Sequence, residues 1–436
     1  MVMTMGSTMQ CCMVGLFFCV EGRNGMDHGD IAWMLTSSAL VLIMTPGLAF
    51  FYGGLVKRKN IVNTIMSSIV MMGLSSILWV LIGFSLSFSG DIGGIIGDLN
   101  WFGLNFNSMT DMTYPYPNTM AFAIFQMMFA IITPALITGA AAERMKFSSL
   151  VIFSTVWSLL VYYPMSHMVW GGGFLSDIGS IDFAGGNVVH ISSGVSALIL
   201  SILLGKRKNH GKATYHPHNV PFVLLGASLL WFGWFGFNAG SAFGANELAI
   251  HAFMTTNISA AAAMISWLII EKITTGKPTL VGASTGLVIG LVAITPGAGF
   301  VPIWSAIIIG ALVSPICFFF ITVVKQKLGY DDALDVFGCH GIGGIWGGIS
   351  TGLFASSSIN PAAAWNGLVF GDVDLFLRQL AAIGVTILVA ACGTFVAYGA
   401  VALVTRGIKV SKKEEEAGLD LSQHGEHAYP AFNGMD

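Results

Sequence analysis

Residues 182–200 read DFAGGNVVHISSGVSALIL: an acidic residue, paired glycines, then an apolar helical run with a histidine, His190, set inside it. Ionisable groups in membrane-grade segments are costly and commonly line a pathway. Whether this run is membrane-grade is decided by the rest of the chain. Of 436 residues, 55% are hydrophobic and 9% are charged, against about 25% charged in ordinary soluble domains. Runs such as SALVLIMTPGLAFFYGGLV (38–56), SLVIFSTVWSLLVYYPM (149–165) and AAIGVTILVAACGTFVAYGAVALV (381–404) recur throughout. Apolar runs of about 18 or more residues cross a bilayer core of roughly 30 Å as helices. The composition therefore describes an all-α polytopic membrane protein. A net charge of −3 leaves no broad basic surface for nucleic acid.

Working outward from His190, eleven candidate spans emerge: about 31–55, 62–88, 119–141, 148–170, 187–205, 219–240, 249–270, 279–295, 301–323, 338–355 and 377–405. Basic residues orient them, because cytoplasmic loops concentrate Lys and Arg. Lys57, Arg58 and Lys59 follow the first span; Arg144 and Lys146 follow the third; Lys206, Arg207, Lys208 and Lys212 follow the fifth. Lys272 and Lys277, Lys325 and Lys327, and finally Arg406, Lys409, Lys412 and Lys413 follow the seventh, ninth and eleventh. The other side holds only Arg23 and Arg378 of the 19 basic residues, with Asp91, Asp98, Asp111, Asp177 and Asp374 in its loops. An odd number of spans then leaves the N-terminus outside and the C-terminus in the cytoplasm. Three regions follow: an N-terminal segment, 1–27; a helical domain, 28–405; and a cytoplasmic tail, 406–436. CCMVGLFFCV (11–20) resembles a signal-peptide core, although the residues before it lack the usual positive charge. All six cysteines lie in apolar runs without metal-ligand spacing, which reads as buried free thiols.

A second histidine, His340, opens the tenth span in DDALDVFGCHGIGGIWGGISTGLF (331–354). A lone membrane histidine is most simply a hydrogen-bonded packing residue. Two of them, each five to eight residues after an aspartate and in spans five positions apart, point to a shared pathway. The five-span separation also suggests two halves, spans 1–5 and 6–10, with the eleventh added. Five being odd, the halves would be inverted, a transporter plan with its site at their interface. Gly343 with Gly347, Gly344 with Gly348, and Gly236 with Gly240 supply the small-xxx-small spacing that lets helices approach closely.

Six motifs then coincide: FQMMFAIITPALITGAAAER (125–144), HMVWGGG (167–173), DFAGGNVVHISSGVSAL (182–198), LLWFGWFGFNAGSA (229–242), DVFGCHGIGGIWGG (335–348) and the tail GLDLSQHGEHAYPAF (418–432). Together they resemble the ammonium transporters of the Amt/Mep/Rh superfamily, in detail the prokaryotic Amt branch, over nearly the whole chain. The resemblance implies no enzyme activity and no cofactor or metal, but a homotrimer with one pore through each eleven-helix subunit. It implies that His190 and His340 face each other in the pore and that Phe129 and Phe237 close its outer gate. It implies an ammonium-binding site of Phe129, Trp170 and Ser241, with the acidic Asp182 nearby and Gln126 and Trp234 as further mouth and pore positions. Aspartate before a helix is also a favoured N-cap, so a structural role for Asp182 stands beside the electrostatic one. On the cytoplasmic side the resemblance implies a PII signalling protein as partner, with Lys57–Lys59, Lys206–Lys212 and the tail as its platform. KVSKKEEEAG (409–418) reads as a short solvated connector. A haem-binding cytochrome could also use two membrane histidines. An ammonium sensor of low flux and an Rh-like electroneutral ammonia channel share the same pore plan.

Overall fold

The computed structural model describes residues 27–106, 119–208, 210–211, 216–405 and 407–429. The candidate signal segment and three of the cysteines lie outside them. Among the described residues no strand forms; β structure is limited to the isolated bridges Ile92–Ile96 and Met145–Lys409. Among the described residues, nine helices are long and apolar enough to cross a membrane: α1 (His28–Leu55), α2 (Arg58–Phe88), α3 (Thr119–Ala141), α4 (Phe147–Asp177), α5 (Gly186–Leu204), α6 (Val220–Ala242), α7 (Glu247–Thr274), α9 (Ile303–Leu328) and α11 (Asp374–Val404). Two shorter apolar helices take the remaining candidate positions, α8 (Leu280–Ile294) and α10 (Phe337–Ile342 running on as Gly343–Phe354). The chain is a multi-pass membrane protein, and large apolar side chains such as Ile77, Leu388 and Phe395 stand exposed on its flanks.

Helix starts follow local chemistry. Asp27, Asn219, Asn246 and Thr279 each accept a backbone N–H from the first turn of α1, α6, α7 and α8, satisfying donors that the helix itself cannot. The connector expected before the tail is instead a short exposed helix, α12 (Lys412–Ala417). Ser411 and Glu414 form a reciprocal capping box there, which stabilises a turn that charge composition alone would leave solvated. Cys317 and Cys339 are buried free thiols as expected, but Cys392 is exposed. It sits on the outward face of α11, where the apolar run is exposed rather than packed into a core.

The two histidine-bearing helices cross at the centre. Both open with six π-helical residues, Gly186–Ile191 and Phe337–Ile342, and carry their histidines there. Each histidine is followed four residues later by a glycine against the opposite backbone. A Cβ on Gly194 would lie 2.1 Å from the Gly341 nitrogen, and one on Gly344 would lie 3.0 Å from His190 Cβ. Any side chain at Gly194 would therefore force the helices apart. Gly343 and Gly347 face Val292 and Ala293 of α8, whereas Gly344 and Gly348 face α5 and α11.

At the basic end, Arg207 forks onto Asp331 at 2.8 and 3.0 Å and reaches Glu143 Oε2 at 2.9 Å. Arg144 donates to the Asp331 carbonyl. Glu143 Oε1 takes the Lys57 N–H at 3.0 Å and the Asn60 amide at 2.9 Å. Asn60 in turn accepts the Leu419 N–H from the tail. Loops after α1, α3 and α5 and before α10 are thus tied into one buried charged cluster. Arg144 and Arg207, counted from sequence among the basic residues that orient the spans, are buried. The tail lies across this chain's own loops: Asp420 accepts from the Asn63 N–H, and Gln423 accepts from the Phe147 N–H.

Candidate functional site

The π-helical opening of α5 turns His190 inward, and that of α10 does the same for His340. Their Nδ1 atoms stand 3.3 Å apart, with ring centroids 5.4 Å apart and planes inclined by 25°. Both rings are buried. A neutral N–H···N contact needs one donor and one acceptor, so the two rings hold opposite tautomers. One then offers an Nε2 lone pair and the other an Nε2–H. The pair can thus accept a hydrogen bond at one ring and donate at the other without carrying charge.

His190 also lies near-parallel to Trp234, with centroids 5.4 Å apart, and to Phe237, 6.0 Å apart. Trp234 is held by its Nε1–H on Thr295 Oγ1 at 2.9 Å. A cavity runs along this stack, lined by His190, His340, Trp234 and Phe237 with Ile132, Leu136, Leu230 and Val288. The histidines are its only ionisable lining residues. Such a space opposes a bare ion strongly and a small neutral hydrogen-bonding molecule far less.

Toward the end away from the basic loops, Phe237, which lines the cavity, packs against Phe129 with ring centroids 4.3 Å apart. Trp170 meets the edge of Phe129 at 5.9 Å, and its Nε1–H is anchored on the Asp182 carbonyl at 2.9 Å. Ser241, buried one turn beyond Phe237, donates to the Phe237 carbonyl at 2.9 Å, which leaves its oxygen lone pairs open to accept. Gln126 is buried one turn before Phe129, and its Oε1 has no hydrogen-bond partner among the described residues. The structure therefore brings Phe129, Trp170, Phe237, Trp234, His190 and His340 into one continuous stack, with Ser241 and Gln126 one turn from it.

Asp182 stands apart. Its carboxylate is buried and takes the N–H groups of Gly185, Gly186, Asn187 and Val188 at 2.6–3.4 Å. Gly185 makes this possible with φ +114°, a conformation side-chain-bearing residues rarely adopt. Burial pushes the Asp182 carboxyl up, and the four hydrogen bonds oppose that shift. With both oxygens engaged, this residue organises the start of α5 and has little acceptor capacity left for a cation.

Two positions escaped the reading of motifs. Asp332 stands eight residues before His340, as Asp182 does before His190, and its Oδ2 caps the Phe337 N–H at 2.8 Å. The repeated offset was the signal. Tyr52 packs closely beside Gly139, where a Cβ would lie 2.7–2.8 Å from Val336 and the Tyr52 ring. No local pattern marks that contact, since the tyrosine lies on α1 and its neighbours on α3 and α10.

The Ammonium Transporter Family model matches residues 32–429. An ammonium transporter of Bacillus subtilis is 49% identical over 406 residues, covering 93% of this chain and 99% of the relative. Ammonium transporter Amt1 of Archaeoglobus fulgidus is 45% identical, covering 93% of this chain and all of the relative. Among solved structures, Candida albicans Mep2 superposes with TM-score 0.81 at 34% identity, over 93% of this chain and 91% of that one. A sensor Amt protein superposes with TM-score 0.83 at 27% identity, over 91% and 98%. The match runs over residues 32–429 on a matching fold, and the chain belongs to the ammonium transporter family, a family of transporters and not of enzymes.

Proposed function

We propose that this protein moves ammonium across the cell membrane by recruiting the cation, removing a proton and conducting ammonia. The observation that carries this is the His190–His340 pair in an apolar cavity beneath the Phe129–Phe237 stack. Phe129 and Trp170 attract the cation through their ring faces, a contribution of roughly 0.5–2 kcal/mol each. Ser241 accepts an N–H, a directional bond that potassium cannot make. Beyond the gate the neutral histidines give ammonia its only polar footing. The proton travels separately, so net charge moves. Asp182 acts by shaping the mouth, with a long-range pull on the cation.

In the same reading, α1–α5 and α6–α10 are inverted halves and α11 is an addition, giving eleven spans. Matched π-helical openings, histidines, aspartates and glycines on α5 and α10 support that symmetry. The basic loops face the cytoplasm with the C-terminus, the N-terminus lies outside, and the protein is a homotrimer with a pore in each subunit, serving nitrogen uptake.

Current recorded from purified protein on a solid-supported membrane tests the mechanism. An ammonium pulse should produce a transient inward current. Ammonia-driven pH change without current would identify an electroneutral, Rh-like channel, and neither signal would leave a sensor.

Trp170→Leu removes the better cation–π face and keeps the site apolar. Half-saturating ammonium should rise by the equivalent of about 1 kcal/mol, roughly fivefold, with folding intact. Saturation identical to that of the parent protein would count against recruitment at Trp170.

A PII-type signalling protein is the proposed cytoplasmic partner, docking where the tail and loops converge. Arg144 and Arg207 are spent inside the charged cluster, so Lys206 and the other exposed loop residues form the platform. Deleting residues 411–436 should leave the helices folded yet abolish PII control. Co-purification with a PII protein from the same cell, with and without its nucleotide and 2-oxoglutarate, decides the matter. Binding under none of these conditions removes the partner and leaves transport standing.

A further inference from the structure

His167 lies on α4, fully buried, three residues before Trp170. Both its ring nitrogens end on oxygen. Nδ1 is 3.1 Å from the Ser87 carbonyl and Nε2 is 2.9 Å from Asp91 Oδ1. A carbonyl and an ionised carboxylate only accept, so satisfying both contacts takes an N–H on each nitrogen. Only the imidazolium carries two. His167 also sits in the last turn before the break at Gly171, where the negative end of the helix dipole favours a cation. The hydrogen bond from His167 holds the Asp91 carboxyl below its usual range, although that side chain is half exposed.

This pair joins two segments of the mouth. Asp91 Oδ1 also takes the Gly94 N–H at 2.8 Å, and the Gly94 carbonyl takes the Phe174 N–H at 2.8 Å. The His167 carbonyl takes the N–H groups of Gly171 and Gly173. A Cβ on Gly171 or Gly173 would lie within 2.9 Å of the imidazole ring, so the turn leaving Trp170 is moulded on His167. Other titratable groups on elements packed against this helix end are Tyr162, Asp177 and His190, with Asp98 and Asp182 in adjoining loops. Asp98 is engaged by Ser89 and Asn100, and Asp182 by the start of α5. Among the described residues Asp91 is the only ionisable group that meets the ring.

We propose that His167 and Asp91 form an ion pair that positions Trp170, so that ammonium affinity at the mouth depends on a buried imidazolium that never touches ammonium. The proposal rests on the reading of Trp170 as part of the recruitment site. Neutralising His167 leaves one of its two acceptors without a donor, and replacing Asp91 removes the charge that favours the doubly protonated ring; either change loosens the Gly171–Gly173 turn. Its cost falls on binding at the mouth, while the histidine-lined pore downstream is untouched.

The test uses full-length protein reconstituted for current recording, with Asp91→Asn, Asp91→Glu and Trp170→Leu compared. Asp91 lies on an exposed loop, so its replacement leaves the fold in place. Asp91→Asn should raise half-saturating ammonium roughly tenfold with the maximal current retained, and Asp91→Glu should restore most of the affinity. Nitrogen NMR of histidine-labelled protein, with the His167 signals assigned by their loss in His167→Gln, should show both ring nitrogens protonated at neutral pH. Unchanged half-saturation in Asp91→Asn, or a neutral His167 ring in the parent protein, would overturn the proposal. If Trp170→Leu alone leaves half-saturation unchanged, the recruitment reading fails and the link to Trp170 fails with it. The NMR signal still reports on the ion pair independently.

Discussion

Aspartate in place of His190 or His340 should cost the protein its discrimination between ammonium and potassium, by on the order of 100-fold. The cavity around the pair is apolar, and its only ionisable groups are the two rings. A cation entering intact meets an effective desolvation penalty of several kcal/mol. In the proposed mechanism ammonium escapes it by leaving a proton behind, which potassium cannot do. A carboxylate at either position places a fixed anion within reach of the remaining imidazole, which stands 3.3 Å away in the parent protein. Returning about 3 kcal/mol of that penalty to any small cation corresponds to about two decades in passage. Potassium currents should appear in the variants and not in the parent protein, measured against ammonium currents at equal driving force. Should both variants keep full discrimination, the pair is not the filter and the proposed mechanism fails.

Asp331→Ala should destabilise the folded protein by about 3–5 kcal/mol, because it strips a buried charge cluster of its central anion. Burial raises the Asp331 carboxyl, but the hydrogen bonds and charge of Arg207, with the charge of Arg144, outweigh it and hold the group well below the ordinary carboxylate range. Burial pulls the Arg144 guanidinium down to about 10, against the opposing charge of Asp331. Removing the carboxylate leaves two buried guanidinium groups short of a partner. The sign of the pH dependence follows. A depressed carboxylate contributes stability that is fully present above the unfolded value near 4 and is lost only as pH falls through the folded value. The parent protein should therefore hold its thermal midpoint from neutral pH down to about 5, with this contribution fading only in stronger acid. Thermal unfolding in detergent at pH 7 and pH 5 checks both parts. A midpoint within a degree of the parent's at pH 7 would show that the cluster does not hold the loops together. Double replacement of Asp331 and Arg207 should cost less than the sum of the single changes, since removing both charges leaves fewer unpaired groups.

The amino-acid sequence by itself determined the helices, the choice of membrane as solvent and the residues worth attention. Length and hydropathy are local properties, and the caps at Asp27, Asn219, Asn246 and Thr279 act within a single turn. Candidate spans and observed helices accordingly agree to within about seven residues. His190 and His340 were conspicuous for the same reason: each is an ionisable group in an apolar run, visible without knowing its neighbours. Packing was not legible in this way. Membrane helices meet lipid as apolar as their own core, so no polar stripe tells which face turns inward. Cys392 therefore read as buried and proved exposed. Arg144 and Arg207 read only as basic residues that orient the spans, and the fold alone shows them buried in a charged cluster. Asp182 had two readings from sequence, and only the approach of four backbone N–H groups in three dimensions spent its oxygens. The contact between His190 and His340 spans 150 residues of chain. It exists because Gly194 and Gly344 let two helices cross at backbone distance, and only the assembled fold decides such a crossing.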